Sequence, residues 1–364
     1  KHPNHQFINY TGSDKIFPVK LTITSDYSCS DDTTVSITVY PHVSADFSIS
    51  KPSACSNELF TITNGSSAGS THNYWDFTGT GSQNIEINSP VFTRSIINPN
   101  TNPQSYNIRL ISKNEHDCYD TTYKNIDIMP VVISDFSMDV TEGCQPLKVT
   151  FTNQANIVNT PGTQFYWTFG DGAEYYKRDT SHTYTNLTAN DIVFPVTLRT
   201  TSNYLCSHDT TKYITAYAFV DAQISLPLSL ACSNNSFTFV NSSSPGTKHT
   251  YWLFGDGSPE VENNSSSVSH TYILPDTSLY SKTYQIRLIG TNNHPVCRDT
   301  DFVSINVHPI PKSNFTSDVT EGCEPVRVQF TNQTAQPNCT YFWNFADGNT
   351  SSDKNPLHYF YNNI

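Results

Sequence analysis

The chain has 364 residues and sets 20 Lys and Arg against 32 Asp and Glu, a net charge of −12. That balance argues against nucleic acid and anionic membrane surfaces as partners, because neutralising phosphate takes clustered cations. No apolar run approaches the ~18 residues of a membrane span, so no direct membrane insertion is expected.

The composition favours Thr, Ser, Asn, Tyr, Phe and Val, which suits strands joined by polar turns, and no amphipathic helical period stands out. The class is all-β. In chain order, residues 1–41 read as the C-terminal half of a sandwich, because His5-Gln6-Phe7 corresponds to His182-Thr183-Tyr184 inside a later segment. Residues 42–130 open at Asp46-Phe47-Ser48 and carry Tyr74-Trp75-Asp76-Phe77. Residues 131–218 open at Asp135-Phe136-Ser137 and reach Tyr166-Trp167-Thr168-Phe169-Gly170-Asp171-Gly172. Residues 219–308 open at Asp221-Ala222-Gln223 and reach Tyr251-Trp252-Leu253-Phe254-Gly255-Asp256-Gly257. Residues 309–364 open at Asn314-Phe315-Thr316, pass Phe342-Trp343-Asn344-Phe345-Ala346-Asp347-Gly348 and end near His358-Tyr359-Phe360, an N-terminal half.

Alternating aromatics that run into a Gly-Asp-Gly corner predict a strand feeding a tight turn. Their recurrence marks a tandem array of segments the size of an immunoglobulin-like sandwich, stacked end to end. Pro41, Pro130 and Pro309-Ile310-Pro311 punctuate short, semi-rigid joints. A second period lies over the first. Ser134 to Gln154 matches Ser313 to Gln333, and Ala54-Cys55-Ser56-Asn57 returns as Ala231-Cys232-Ser233-Asn234. The unit of duplication is therefore a pair of alternating sandwich types. Half-sandwiches would expose strand edges and core. They argue for a stretch of a longer array, with head-to-tail complementation between neighbouring chains as the other way to cover them.

The Tyr-Trp-x-Phe-Gly-Asp-Gly strand, the downstream His-Thr-Tyr at His182 and His270, the Val196-Thr197-Leu198 and Ile286-Arg287-Leu288 strands and the final Asp-Thr-Thr strand together resemble the PKD domain. The resemblance spans the whole chain and implies immunoglobulin-like sandwiches of extracellular, cell-surface proteins. The Gly-Cys-x-Pro run into Val-x-Phe-Thr-Asn (Gly143 to Asn153, Gly322 to Asn332) looks like the PKD repeats of very large Bacteroidota surface proteins, among them the gliding-motility adhesins of the SprB type. The segment at Phe77-Thr78-Gly79-Thr80-Gly81 departs from the motif, lacking the Asp and the later His-Thr-Tyr.

No catalytic, cofactor-binding or metal residue is expected. Asp171, Asp256 and Asp347 lack the further oxygens of a calcium loop and are expected to bond the backbone of their own turns. His5, His182, His270 and His358 occur once per segment, too sparsely for zinc, and read as half-buried rings bonding a loop. Trp75, Trp167, Trp252 and Trp343 all belong to the repeated core strand, like the buried Trp of immunoglobulin sandwiches. That leaves Tyr175-Tyr176 as the best surplus pair for a sugar platform. There is no Gly-x-Ser-x-Gly elbow, His-Glu-x-x-His or phosphate loop. Asn-x-Ser/Thr sequons, Asn9 and Asn186 among them, are common enough to arise by chance. Asp32-Thr33-Thr34, Asp120-Thr121-Thr122 and Asp209-Thr210-Thr211 look like Bacteroidota glycosylation sites but read first as the start of a last strand.

Nine cysteines without a single Cys-x-x-C read as disulfides in an oxidising compartment. Cys55, Cys144, Cys232 and Cys323 lie between first and second strands; Cys29, Cys118, Cys206 and Cys297 lie just before last strands. Pairing inside a segment (Cys55–Cys118, Cys144–Cys206, Cys232–Cys297) is the default. Strands of eight to ten residues would hold those positions roughly 25–35 Å apart, against the ~7 Å that a disulfide allows between Cα atoms. Stacked sandwiches predict Cys55–Cys206 and Cys144–Cys297 instead, with Cys29, Cys232 and Cys323 left for neighbours. Cys339 has no counterpart. The reading is a secreted, non-catalytic stalk that gives reach and stiffness to an adhesin or filament. Its expected partners are neighbouring repeats or copies of itself, with surface-anchoring or secretion machinery. The alternatives are accessory modules of a secreted hydrolase touching polysaccharide, and a filament subunit built by half-domain complementation.

Overall fold

The computed structural model describes residues 2–80 and 84–362; Gly81 of the departing motif lies outside them. Every regular element among the described residues is a strand, and no helix is long and apolar enough to cross a membrane. The chain forms two compact units, one of residues 1–138, 151–180 and 196–212, the other of residues 139–150, 181–195 and 213–364.

The first unit begins with an antiparallel hairpin, Lys15–Thr24 on Ser30–Val39. A complete sandwich follows. One sheet orders Phe47–Ile49, Phe60–Asn64 and Val91–Arg94; the other orders Ser53–Ala54, Tyr119–Ile128, Gln104–Lys113, His72–Asp76 and Ile85–Glu86. Side chains alternate across a strand, so Ile108 and Leu110 point inward while Asn107 and Arg109 do not. Phe47, Phe60, Ile62, Trp75, Ile126 and Ile128 complete a core whose apolar packing is the main stabilising contribution. Further along, the unit places Gln164–Thr168 against Glu174–Tyr175 on one edge and residues 197–201 on the other, with Trp167 opposite Leu198.

The second unit holds a sandwich of the same order. Ile224–Ser225, Ser236–Asn241 and Ser267–Thr271 form one sheet. Leu230–Cys232, Arg298–His308, Lys282–Thr291, His249–Leu253 and Val261–Glu262 form the other. Its core gathers Phe237, Phe239, Trp252, Phe254, Tyr272, Leu288 and Ile305. Beyond it, Phe315–Ser317, Val326–Asn332 and Leu357–Phe360 make a three-stranded sheet, and Trp343–Asn344 pairs with Thr350–Ser351.

One device recurs in both units and positions the cysteines. A short strand early in each sandwich leaves its first sheet and pairs in parallel with the far end of the last strand. Ala54 sits opposite Ile128, Gly143 opposite Ala216, and Cys232 opposite His308. Cys118 and Cys297 precede the other end of their last strands, Tyr119–Ile128 and Arg298–His308. Ten or eleven residues of extended chain at ~3.3 Å each therefore separate the two cysteine positions within a sandwich.

Candidate functional site at the joints

In the first unit Cys55 is bonded to Cys206, their Cα atoms 5.7 Å apart; in the second, Cys144 is bonded to Cys297 at 5.5 Å. Both bonds join the early loop of one repeat to the last hairpin of the next. Local geometry presents each sulfur. The Cys55 amide donates to Glu58 Oε2, and Asn57 takes positive φ to turn the loop. Leu205, also at positive φ, lets the hairpin close with the Ser202 amide on the Cys206 carbonyl. Cys206 and Cys297 are buried.

A second set of contacts surrounds the joints, and it was not anticipated from the sequence. In the second unit His294 lies flat on Tyr217, ring centroids 3.5 Å apart, and its Nε2 is 2.9 Å from Asp191 Oδ2. Asp191 also accepts the Ala218 amide, and Asn292 Nδ2 donates to the Ala218 carbonyl. Burial raises the Asp191 carboxyl, but the His294 and Ala218 hydrogen bonds outweigh it and leave the group below its usual range. Burial, then a hydrogen bond to Glu142, raises the Tyr217 phenol. The first unit repeats this arrangement with Tyr40, His116 and Asp14: stacking at 3.7 Å, a 3.2 Å contact, and Asn114 Nδ2 on the Pro41 carbonyl. The signal that could have exposed it is the pair period itself, since Asp14, Tyr40 and His116 return as Asp191, Tyr217 and His294.

The Gly-Asp-Gly corners serve the sandwiches. Oδ1 of Asp171, Asp256 and Asp347 accepts the amide two residues on, from Ala173, Ser258 and Asn349. Oδ2 of Asp256 and of Asp347 each lies 2.7 Å from the Nε2 of a histidine, His270 and His358. Those rings stack on Phe254 and Phe345 at 4.0 and 4.1 Å. For Asp256, burial opposes ionisation, but hydrogen bonds from Ser258 and His270 bring its pKa to about 2; for Asp347 the His358 hydrogen bond leads, and the value is again about 2.

Trp75, Trp167 and Trp252 are fully buried. Each indole N–H donates to a carbonyl of the neighbouring segment, from Ile87, Lys177 and Asn263 respectively. Trp343 keeps the same bond, to Asp353, but stays half-buried, because among the described residues the strand that flanks the other tryptophans has no equivalent beside it. Tyr175 and Tyr176 are exposed, and Tyr176 leans on Tyr166. Asp120 caps its sandwich by accepting the Ala45 amide. The sequon residues Asn9 and Asn186 are buried with their amides on main-chain carbonyls. Cys29, Cys118, Cys232, Cys323 and Cys339 are unbonded. Among the described residues no group of three His, Cys, Asp or Glu is placed to hold a metal ion.

A family model for the PKD domain matches residues 306–363. No curated protein matches the chain. Among solved structures it is similar to Drosophila N-cadherin EC1-4, at 12% identity over 82% of this chain and 84% of that one, with a TM-score of 0.31. It is also similar to the human desmocollin-1 ectodomain, at 10% identity over 96% and 80%, with a TM-score of 0.23. The chain is a tandem immunoglobulin-like repeat protein, with a PKD domain matched at residues 306–363.

Proposed function

We propose that this chain is a spacer in the stalk of an extracellular adhesin or filament at the cell surface, of the kind Bacteroidota carry for gliding motility. The observation that carries the reading is the pair of disulfides, each tying one repeat to the next rather than closing a repeat on itself. A covalent bond across a joint removes freedom between neighbours. The stacked rings Tyr40–His116 and Tyr217–His294 act in the same direction. The partners are neighbouring repeats, copies of the chain, and the machinery that exports or anchors them. The Bacteroidota assignment rests on the Gly-Cys-x-Pro and Val-x-Phe-Thr-Asn runs.

The test is orientational. Residual dipolar couplings from the repeat around Trp75 and the repeat around Trp167 should fit one alignment tensor in the oxidised chain and separate tensors in Cys55→Ser. Two tensors in the oxidised chain would overturn the spacer reading. Binding to chitin, cellulose or collagen beads that Tyr176→Ala abolishes would move the assignment to a polysaccharide-contacting module.

A further inference from the structure

The joints at Pro41 and Ala218 are alike, and the joint at Pro130 between them is not. Three asparagines fix the comparison. Asn9, Asn98 and Asn186 each donate from Nδ2 to the last residue of a final strand, Val39, Ile128 and Ala216, and to the carbonyl four residues on. Counted from them, the residue before the next-to-last strand is Asp14, Pro103 and Asp191, and the residue after the last strand is Tyr40, Met129 and Tyr217. In the hairpin that arrives from the following sandwich, Asn114, Ser202 and Asn292 accept the amide two residues on, from His116, Tyr204 and His294. The aspartate, tyrosine and histidine of the first and third joints are thus answered at the middle one by Pro103, Met129 and Tyr204.

The linkers are clasped in two ways as well. Ser67 and Ser244 donate to the His42 and Phe219 carbonyls and accept the Ser44 and Asp221 amides. At the middle joint Asn156 does both, donating from Nδ2 to the Val131 carbonyl and accepting the Ile133 amide at Oδ1. The same alternation runs through the rest of the chain. The hairpin Ser25-Asp26-Tyr27-Ser28-Cys29 repeats the Ser202 and Tyr204 places. Ser281 and His308 stand at the Pro103 and Met129 places, since Lys282 faces Val307 as Gln104 faces Ile128. Gln336 accepts the Lys312 amide as Asn156 accepts that of Ile133.

We infer that the joints are typed. A sandwich that ends in the aspartate and the tyrosine fits a neighbour whose hairpin carries asparagine and histidine; a sandwich that ends without them fits a neighbour whose hairpin carries serine and tyrosine. Asp191, Tyr217 and His294 determine the specificity of the first contact, and Pro103, Met129 and Tyr204 that of the second. Discrimination comes from what a wrong pairing leaves unanswered. A phenol reaches farther from Cβ than an imidazole Nε2, so a tyrosine at the His294 place carries its hydroxyl past Asp191 Oδ2. Asp191 then keeps the Ala218 amide and loses its side-chain partner. A histidine at the Tyr204 place finds Pro103 and Met129 where the aspartate and the tyrosine would be, side chains that offer at most a weak acceptor. Two sandwiches of one type therefore make a poor joint, and only duplication by pairs restores both contacts.

The experiment exchanges residues between joints in the full-length chain, with the bridge of the untouched joint as the control. Opening of Cys144–Cys297 and of Cys55–Cys206 by dithiothreitol is followed by mass spectrometry of alkylated peptides. His294→Tyr should speed opening of Cys144–Cys297 roughly threefold and leave Cys55–Cys206 unchanged. Adding Asp191→Pro and Tyr217→Met should return the rate to that of the parent. At the middle joint, Tyr204→His should speed opening of Cys55–Cys206, and Met129→Tyr with Pro103→Asp should restore it. Single exchanges that leave both rates alone show that each joint accepts either hairpin and overturn the inference. Triple exchanges that stay as fast as the single ones overturn it too, by showing that these residues do not set the fit. Neither outcome touches the spacer reading, which is tested by joint orientation.

Discussion

Arg94 stands over the ring of Phe77, its guanidinium carbon 5.0 Å from the centroid, at the position that His270 holds over Phe254. Cross-strand register proves the equivalence: Arg94 faces Phe60 as His270 faces Phe237. The repeat that lacks the Gly-Asp-Gly carboxylate has therefore kept a side chain over the aromatic and changed its kind. Without an aspartate to hold an imidazole, a permanently charged guanidinium supplies the stacking by itself. Arg94→Ala should lower the stability of this sandwich by about 0.5–1 kcal/mol, read as a denaturant midpoint, whereas Arg94→Lys recovers part of the loss. No change on Arg94→Ala would mean that the stacked arginine contributes nothing.

The Asp256–His270 contact carries a pH signature. The folded carboxyl titrates at about 2 against an ordinary value of 3.8. Its ionised form is therefore favoured by folding, and the stability it contributes is fully present above about pH 4. That contribution fades as pH falls from there toward 2. Asp256→Asn should be less stable than the parent at pH 7, and the two should converge near pH 2. Melting curves that stay parallel across that range would contradict the assignment.

Gly255 and Gly257 share a turn but not a constraint. Both have positive φ; a Cβ on Gly255 would strike the Gln285 carbonyl, whereas nothing lies within 4 Å of one on Gly257. Gly257→Ala should cost only the conformational penalty of about 1–2 kcal/mol. Gly255→Ala should cost clearly more, since main chain must move. Equal midpoints for the two variants would show that the main chain at Gln285 yields freely.

At the second unit's joint, His294→Ala removes a stacked ring and its 2.9 Å contact with Asp191 together. The loss is about 1 kcal/mol, so reduction of Cys144–Cys297 by a small thiol should run about fivefold faster. His249→Ala, which breaks a contact with Glu262 inside the sandwich, should leave that rate unchanged. An unaltered rate in His294→Ala would separate the aromatic contact from the disulfide.

Much of this was legible in the sequence because it is periodic. The all-β class and the aromatic core strand follow from side-chain alternation around Trp167 and Trp252, which a two-residue repeat makes visible. What stayed hidden is what depends on residues far apart. Tyr217 and His294 meet only once the chain has traversed a whole sandwich, and neither belongs to the repeated motif. Arg94 was unreadable for another reason: it does the work of a histidine without resembling one. The exposure of Trp343 depends on which strands surround it, something its own segment cannot announce.

The two disulfides interlock, since Cys144 lies between Cys55 and Cys206, and Cys206 between Cys144 and Cys297. If every sandwich between Cys55 and Cys297 were torn open under tension, the shortest covalent path would cross one bridge, run backward from Cys206 to Cys144, and leave by the other. That path is roughly 60 residues, about 200 Å at full stretch. The same chain with its bridges reduced could pay out roughly 240 residues, about 850 Å. Pulled from its two ends, such a chain stops short: its redox state, more than the strength of its folds, sets how far it can lengthen before a covalent bond takes the load.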